Sequence, residues 1–172
     1  MTQEIIDLRK SIKEGRYADA LAIVDELEGM SRQAILRNIQ SFIKILLIHL
    51  IKNQVEQRLN KSWVNSIRNS VREIKKLNLQ DNKTSYYVKV DEWGSILDDE
   101  FEEAVSLASE EVMEGIYSFS QLSELVDKER IICTGKNLLA LTYDYGIKEL
   151  TRVINDYLNQ LPGGDDWSAG IQ

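Results

Sequence analysis

The sequence predicts an all-α fold, and three observations carry that prediction. Apolar residues recur at steps of three and four through most of the chain, the spacing of one face of a helix. Proline occurs once, at Pro162, so no earlier segment is interrupted by a residue that lacks an amide proton and clashes with the preceding turn. The stretch Ala34–Leu59, AILRNIQSFIKILLIHLIKNQVEQRL, is apolar round most of its circumference. Such a helix must be covered on most sides by others. The expected architecture is a single-domain helical bundle (residues 1–161) of about five or six helices around this long central helix (about 34–59), with a flexible tail at 162–172.

The elements follow in order. Glu4–Glu14 presents Ile5, Leu8 and Ile12 on one face, and Gly15 ends it. Tyr17–Glu28 carries Tyr17, Leu21, Val24 and Leu27 at helical spacing, with alanines at 18, 20 and 22, and Gly29 closes it into a short hairpin. Ser31 is the expected N-cap of the central helix. Ser62 is the expected cap of the next, whose stripe is Trp63, Ile67, Val71, Ile74 and Leu77. Asn78–Ser85 reads as loop on composition, and Tyr86–Val90 as loop or an irregular helix start, since a lone strand has no partner. From Ile96 to Gly115 a helix turns Phe101, Val105, Ala108 and Val112 inward. Ser120–Glu129 forms a turn or two, capped by Ser120, with Leu122, Leu125 and Val126 inward. The last helix runs from Asn137 to about Leu161 with Leu138, Leu141, Tyr145, Leu150, Ile154 and Leu158 as its stripe, and Pro162-Gly163-Gly164 stops it.

The net charge of −7 is unevenly spread. Residues 1–51 are neutral, 52–89 carry +6 and 90–172 carry −13. Such asymmetry marks either a nucleic-acid or partner surface, or helices that attract one another within one bundle. With one cysteine, Cys133, no internal disulfide can form, and a buried thiol in a reducing compartment is expected. The N-terminus lacks a signal-peptide core, and the most apolar run, Phe42–Ile51, is too short to span a bilayer. The cytoplasm is the expected location, with no membrane association.

The run LLIHLIK at Leu46–Lys52, then Arg58, then KSWVNSIRNSVREI at Lys61–Ile74, resembles the cyanobacteria-rich family called domain of unknown function 29. The matching positions are His49, Leu50, Lys52, Arg58, Ser62, Trp63, Ile67 and Arg68. DELEGMSR, EEAVSLASEE and FSQLSELVD resemble further family segments, so the resemblance covers about residues 4–130. Where many members have tryptophan, tyrosine and proline, this chain has Asn53–Gln57, and the segment beyond Ile131 has no counterpart. The resemblance implies an all-α fold and no settled function.

Chemistry is sparse. His49 is the sole histidine; without a carboxylate or second ligand on its helix it reads as a side chain bonded between helices, to Ser62 or Trp63. The acidic set Asp98–Glu103, Glu110, Glu111 and Glu114 lacks the Glu-x-x-His of a di-metal bundle and the pattern of a calcium loop. It reads as a solvated face that also serves as internal partner to the arginines. Arg58, Lys61, Arg68, Arg72, Lys75 and Lys76 form a basic ridge beside Trp63, which can stack a base only if exposed. Phosphate-binding glycine loops are missing. No cofactor and no metal are expected. The expected role is a non-catalytic protein-interaction or regulatory module with an unknown protein partner, its polar cluster being His49, Lys52, Arg58, Ser62, Trp63, Arg68 and Arg72. The alternative is a nucleic-acid-associated or antitoxin-like regulator using the basic helix 58–76 and the acidic C-terminal half. An enzyme or metal protein centred on His49 ranks third.

Overall fold

Helices occupy most of what the computed structural model describes, residues 2–80 and 84–168. Among these residues are eight: α1 (Thr2–Lys13), α2 (Tyr17–Glu56), α3 (Lys61–Asn78), α4 (Trp93–Ser109), α5 (Phe119–Leu125), α6 (Lys128–Asp144), α7 (Ile147–Leu158) and α8 (Gly164–Ser168). The fold is all-α with one long helix, as the sequence predicts. Parts of the expected loop and tail, residues 81–83 and 169–172, lie outside the described residues. The chain falls into two compact units, Met1–Asn38 and Ile39–Gln172, and α2 contributes to both.

In the first unit Gly15 ends α1 in the left-handed conformation, at φ +73°. Its N–H bonds to Ile12 at 3.1 Å and that of Arg16 to Ser11 at 2.9 Å, the paired bonds of a glycine C-cap. The expected break at Gly29 and Ser31 does not occur. Helix α2 runs without interruption from Tyr17 to Glu56. A glycine inside a helix costs about 1 kcal/mol relative to alanine, less than the hydrogen bonds a break would sacrifice. It ends at Glu56, three residues before the expected Leu59, because Gln57 adopts φ +53°. By length and composition α2 is the one helix among the described residues that could cross a membrane. In the second unit Ile39, Ile43, Leu46, Leu47, Leu50 and Ile51 are core instead. The covering is one-sided rather than all round: Ile45 is exposed, and Phe42 and Ile48 are half-buried.

The stripes predicted for the other helices of the second unit are largely buried: Trp63, Ile67, Val71 and Ile74 in α3 with Leu77 half-buried, Phe101, Val105 and Ala108 in α4, Leu138 in α6 and Leu150, Ile154 and Leu158 in α7, with Leu141 and Tyr145 half-buried. Helix α4 packs on α6, and α3 on α6 and α7. Gly135 of α6 lets α4 approach, since a Cβ there would sit 3.2 Å from the Leu97 side chain.

Boundaries shift where polar side chains compete. Asn60, not Ser62, caps α3: its Oδ1 accepts from Trp63 N–H at 2.9 Å. Ser118, not Ser120, caps α5 in a reciprocal box with Gln121. Leu125, expected inward, is exposed. Helix α4 stops at Ser109 rather than Gly115, and a tight turn with positive φ follows at Val112–Gly115. The single expected C-terminal helix is two, because Tyr145 is extended and Gly146 starts α7. Cys133 is exposed rather than buried.

The connection between α3 and α4 is held by a polar knot. Asn78 uses its side chain as a strand would use its backbone: Oδ1 accepts from Val88 N–H at 2.7 Å and Nδ2 donates to Val88 O at 2.9 Å. Tyr143 Oη donates to the same carbonyl at 2.6 Å and accepts from Trp93 Nε1 at 2.8 Å and Asn78 Nδ2 at 3.1 Å. Burial raises the Tyr143 phenol above its ordinary pKa. Leu79 and Tyr86 form one antiparallel bridge, so the Tyr86–Val90 segment finds a partner within its own turn.

Candidate functional site

The Leu46–Trp63 motif brings three of its residues together around one indole. The Arg58 guanidinium lies 4.4 Å and the Lys52 ammonium 4.9 Å from the centroid of Trp63. Each cation over an aromatic face contributes about 0.5–2 kcal/mol, more as water is excluded. Helix α2 supplies Lys52, the connector Arg58, and the first turn of α3 Trp63, so an arrangement 12 residues long in sequence closes on itself.

Two carboxylates complete this cluster, Glu111 of the acidic set and Glu56, on which the sequence carries no signal of its own. Lys52 Nζ pairs with Glu111 at 2.9 Å, its side chain only 12% exposed. Glu56, at 10% exposed, accepts from Arg58 Nε at 2.9 Å through one oxygen and from Met113 N–H at 3.3 Å through the other. That second bond reaches an unusual turn. Met113 and Glu114 adopt φ +48° and +60° and Gly115 φ +80°, three successive left-handed residues. For non-glycine residues that conformation costs of order 1–3 kcal/mol and needs outside support. Glu56 provides part of it. The turn leaves Met113 and Ile116 exposed, and Leu107, Phe119 and Leu125 beside them in sequence are exposed as well. Glu110, Glu111, Glu114 and Glu124 are exposed among them.

His49 is paired, but not between helices. Its Nδ1 lies 2.8 Å from the Ile45 carbonyl one turn back, so Nδ1 carries the proton, and the expected bond to Ser62 or Trp63 is not made. Four residues' separation within a helix brings the ring under that carbonyl. Burial lowers its pKa below the ordinary 6.5; the bond to Ile45 offsets this in part, and the Lys52 charge adds to it. A histidine whose folded pKa is lowered resists the proton that the unfolded chain accepts. Stability is therefore lost as pH falls below about 6.5. His49→Gln is expected to flatten that loss in urea titrations at pH 7 and about pH 5.5; an unchanged slope would assign it to other groups.

Ser62 is exposed and makes no cap. Arg68 and Arg72 belong to a different neighbourhood. Arg68 donates to Asn155 of α7 at 2.9 Å and to Asn65 at 2.7 Å. Arg72 turns its Nε inward, where it has no hydrogen-bond partner among the described residues. Lys75 donates to the Thr142 carbonyl, one of the free carbonyls in the last turn of α6, where a cation also meets the negative end of the helix dipole. Lys76 pairs with Glu73.

The acidic helix is thus not the hydrogen-bond partner of Arg58 or Arg68, which take Glu56 and amide oxygens, nor of the buried Arg72 Nε. Carboxylates of this helix and the turn after it take lysines: Asp98 with Lys128 at 2.7 Å, Glu103 with Lys44 at 3.4 Å, and Glu111, just past the helix, with Lys52. Short flexible ammonium groups on facing helices reach these carboxylates, while the planar guanidinium of Arg68 is matched by amide oxygens closer to hand. A cavity of about 110 Å³ lies between Leu50, Asn53, Gln54, Ile131 and Pro162. It is smaller than the about 300–1,000 Å³ of ordinary ligand sites. Among the described residues no cluster of three metal-ligating side chains occurs.

No curated protein and no solved structure matches the chain. The family model described as Domain of unknown function DUF29 matches residues 2–129, the span that holds the Trp63 cluster and the strained turn, and the chain belongs to that family.

Proposed function

We propose that this chain is a non-catalytic protein-interaction module, located in the cytoplasm, and that residues 107–125 form its docking face. The observation that carries this reading is the strained turn at Met113–Gly115. Glu56 holds it in place while Met113 and Ile116 face solvent, Ile116 at 66% exposed. A chain that spends backbone strain on holding apolar side chains outward does so for contact with another surface. Exposed carboxylates among those side chains suit a partner with an apolar ridge flanked by basic residues.

Ile116→Asp combined with Phe119→Asp tests this. Quantitative affinity purification should recover a basic partner with the native chain and lose it with the double variant or at high salt, while the melting curve stays in place. Equal recovery by both proteins, or no partner for either, sinks the reading. The nucleic-acid alternative is weakened because Arg68, Lys75 and Lys76 are engaged within the protein. Fluorescence anisotropy with single- and double-stranded RNA and DNA at low salt should accordingly show no binding.

A further inference from the structure

The first unit is a helical hairpin that buries little of its own. Among its described residues Ser11 and Ala20 are buried, one per helix, and Leu8, Ile23, Val24, Leu27, Ile35 and Leu36 are half-buried. Ile5, Ile6 and Ile12 of α1 and Tyr17, Leu21 and Met30 of α2 are exposed, Tyr17 and Leu21 at 65% each. Helical spacing arranges most of them on one side. Counting from Ser11, residues 5, 8 and 12 fall on the same flank of α1. Counting from Ala20, residues 17, 21 and 24 fall on one flank of α2. The three-residue connection makes the helices antiparallel, and in an antiparallel pair these two flanks share one face. The opposite face is a different surface, a polar groove with Asp7, Lys10, Arg16 and Asp19.

We infer that this apolar face pairs with the same face of a second copy of the chain, two hairpins closing into a four-helix bundle with twofold symmetry. Segments shorter than about 40 residues rarely hold a core alone, and association is the usual remedy. Charge favours a like copy here. Residues 1–38 carry a net −1, whereas residues 39–172 carry −6, so mutual repulsion is weakest at the hairpin. The rims are also complementary: Arg9 flanks the apolar stripe on α1 and Asp25 flanks it on α2, while Glu28, in line with the stripe one turn past Val24, ends it. A twofold axis parallel to the helices sets α1 of each copy against α2 of the other, bringing the basic rim to the acidic one twice. The inference is independent of the docking face at 107–125, and its test does not involve that segment.

The experiment is sedimentation equilibrium on the full chain across micromolar to hundreds of micromolar concentration. The expected mass is twice 19.8 kDa. Tyr17→Glu with Leu21→Glu should return it to the single-chain mass at every concentration, with helicity by circular dichroism retained. A single-chain mass for the native protein throughout would overturn the inference, as would a double variant that still dimerises. Arg9→Glu and Asp25→Arg provide a check free of any folding defect. Each alone should weaken dimerisation at least tenfold, and combined in one chain they should restore it; additive weakening would rule out the proposed pairing.

Discussion

Trp93→Ala is expected to lower the unfolding free energy by about 3–5 kcal/mol, the range for emptying a fully buried indole. Trp93 has no exposed surface and its Nε1 donates to Tyr143 Oη at 2.8 Å. Its loss removes packing between the start of α4 and α6, and also frees one acceptor position of the polar knot. At this chain length each kcal/mol displaces the melting temperature by about 2–4 °C, so thermal unfolding reads the effect directly. Tyr143→Phe separates the two contributions. It keeps the ring stacked edge-on against Tyr86 at 4.6 Å but leaves the Trp93 N–H unpaired. A loss of about 1–3 kcal/mol is expected from an unsatisfied buried donor. If Tyr143→Phe is neutral, the knot packs but does not bond.

Gly163→Ala is expected to cost about 2–4 kcal/mol, through backbone conformation and collision together. Gly163 sits at φ +75°, and an added Cβ would lie 2.7 Å from both Arg58 Cα and Leu59 N. These are backbone atoms and cannot swing aside. The same junction is tied by Asn53, whose Nδ2 donates to Arg58 O at 3.0 Å and to Pro162 O at 2.8 Å. Disturbing it also reaches the Arg58–Trp63 contact, so tryptophan fluorescence should change with stability. Gly29→Ala is the matched control with the opposite sign. Gly29 is helical with open space around it, and the substitution should stabilise by about 0.5–1 kcal/mol. Equal effects at the two glycines would refute the account of the junction.

The candidate site was legible in part. Lys52, Arg58 and Trp63 lie close in sequence around a helix end, so proximity alone suggested that they act together. Glu56 and Glu111 were not singled out as their partners, because one lies within the central helix and the other in an acidic run with many equivalent carboxylates. The sole signal for Glu56 was its position between Lys52 and Arg58. Asn78, Trp93 and Tyr143 carry no joint signature at all: 65 residues separate Asn78 from Tyr143. Nothing in a one-dimensional pattern reports such a pairing.

By itself the sequence determined the all-α class, the buried stripes of α3, α4 and α7, and the end of α1 at Gly15. Those features repeat at the period of the helix, or rest on the one residue tolerant of positive φ, so they are encoded locally. The tertiary structure decided where helices end when the competing options differ by about 1 kcal/mol. Gly29 is carried through a helix while Gly146 begins one, and Asn60 outcompetes Ser62 as a cap. It also decided which charges meet, since Lys44, Lys52 and Lys128 rather than Arg68 and Arg72 took the carboxylates of α4 and the turn after it. Packing and desolvation at a distance set those outcomes, and they depend on the third dimension because the groups involved are neighbours only there.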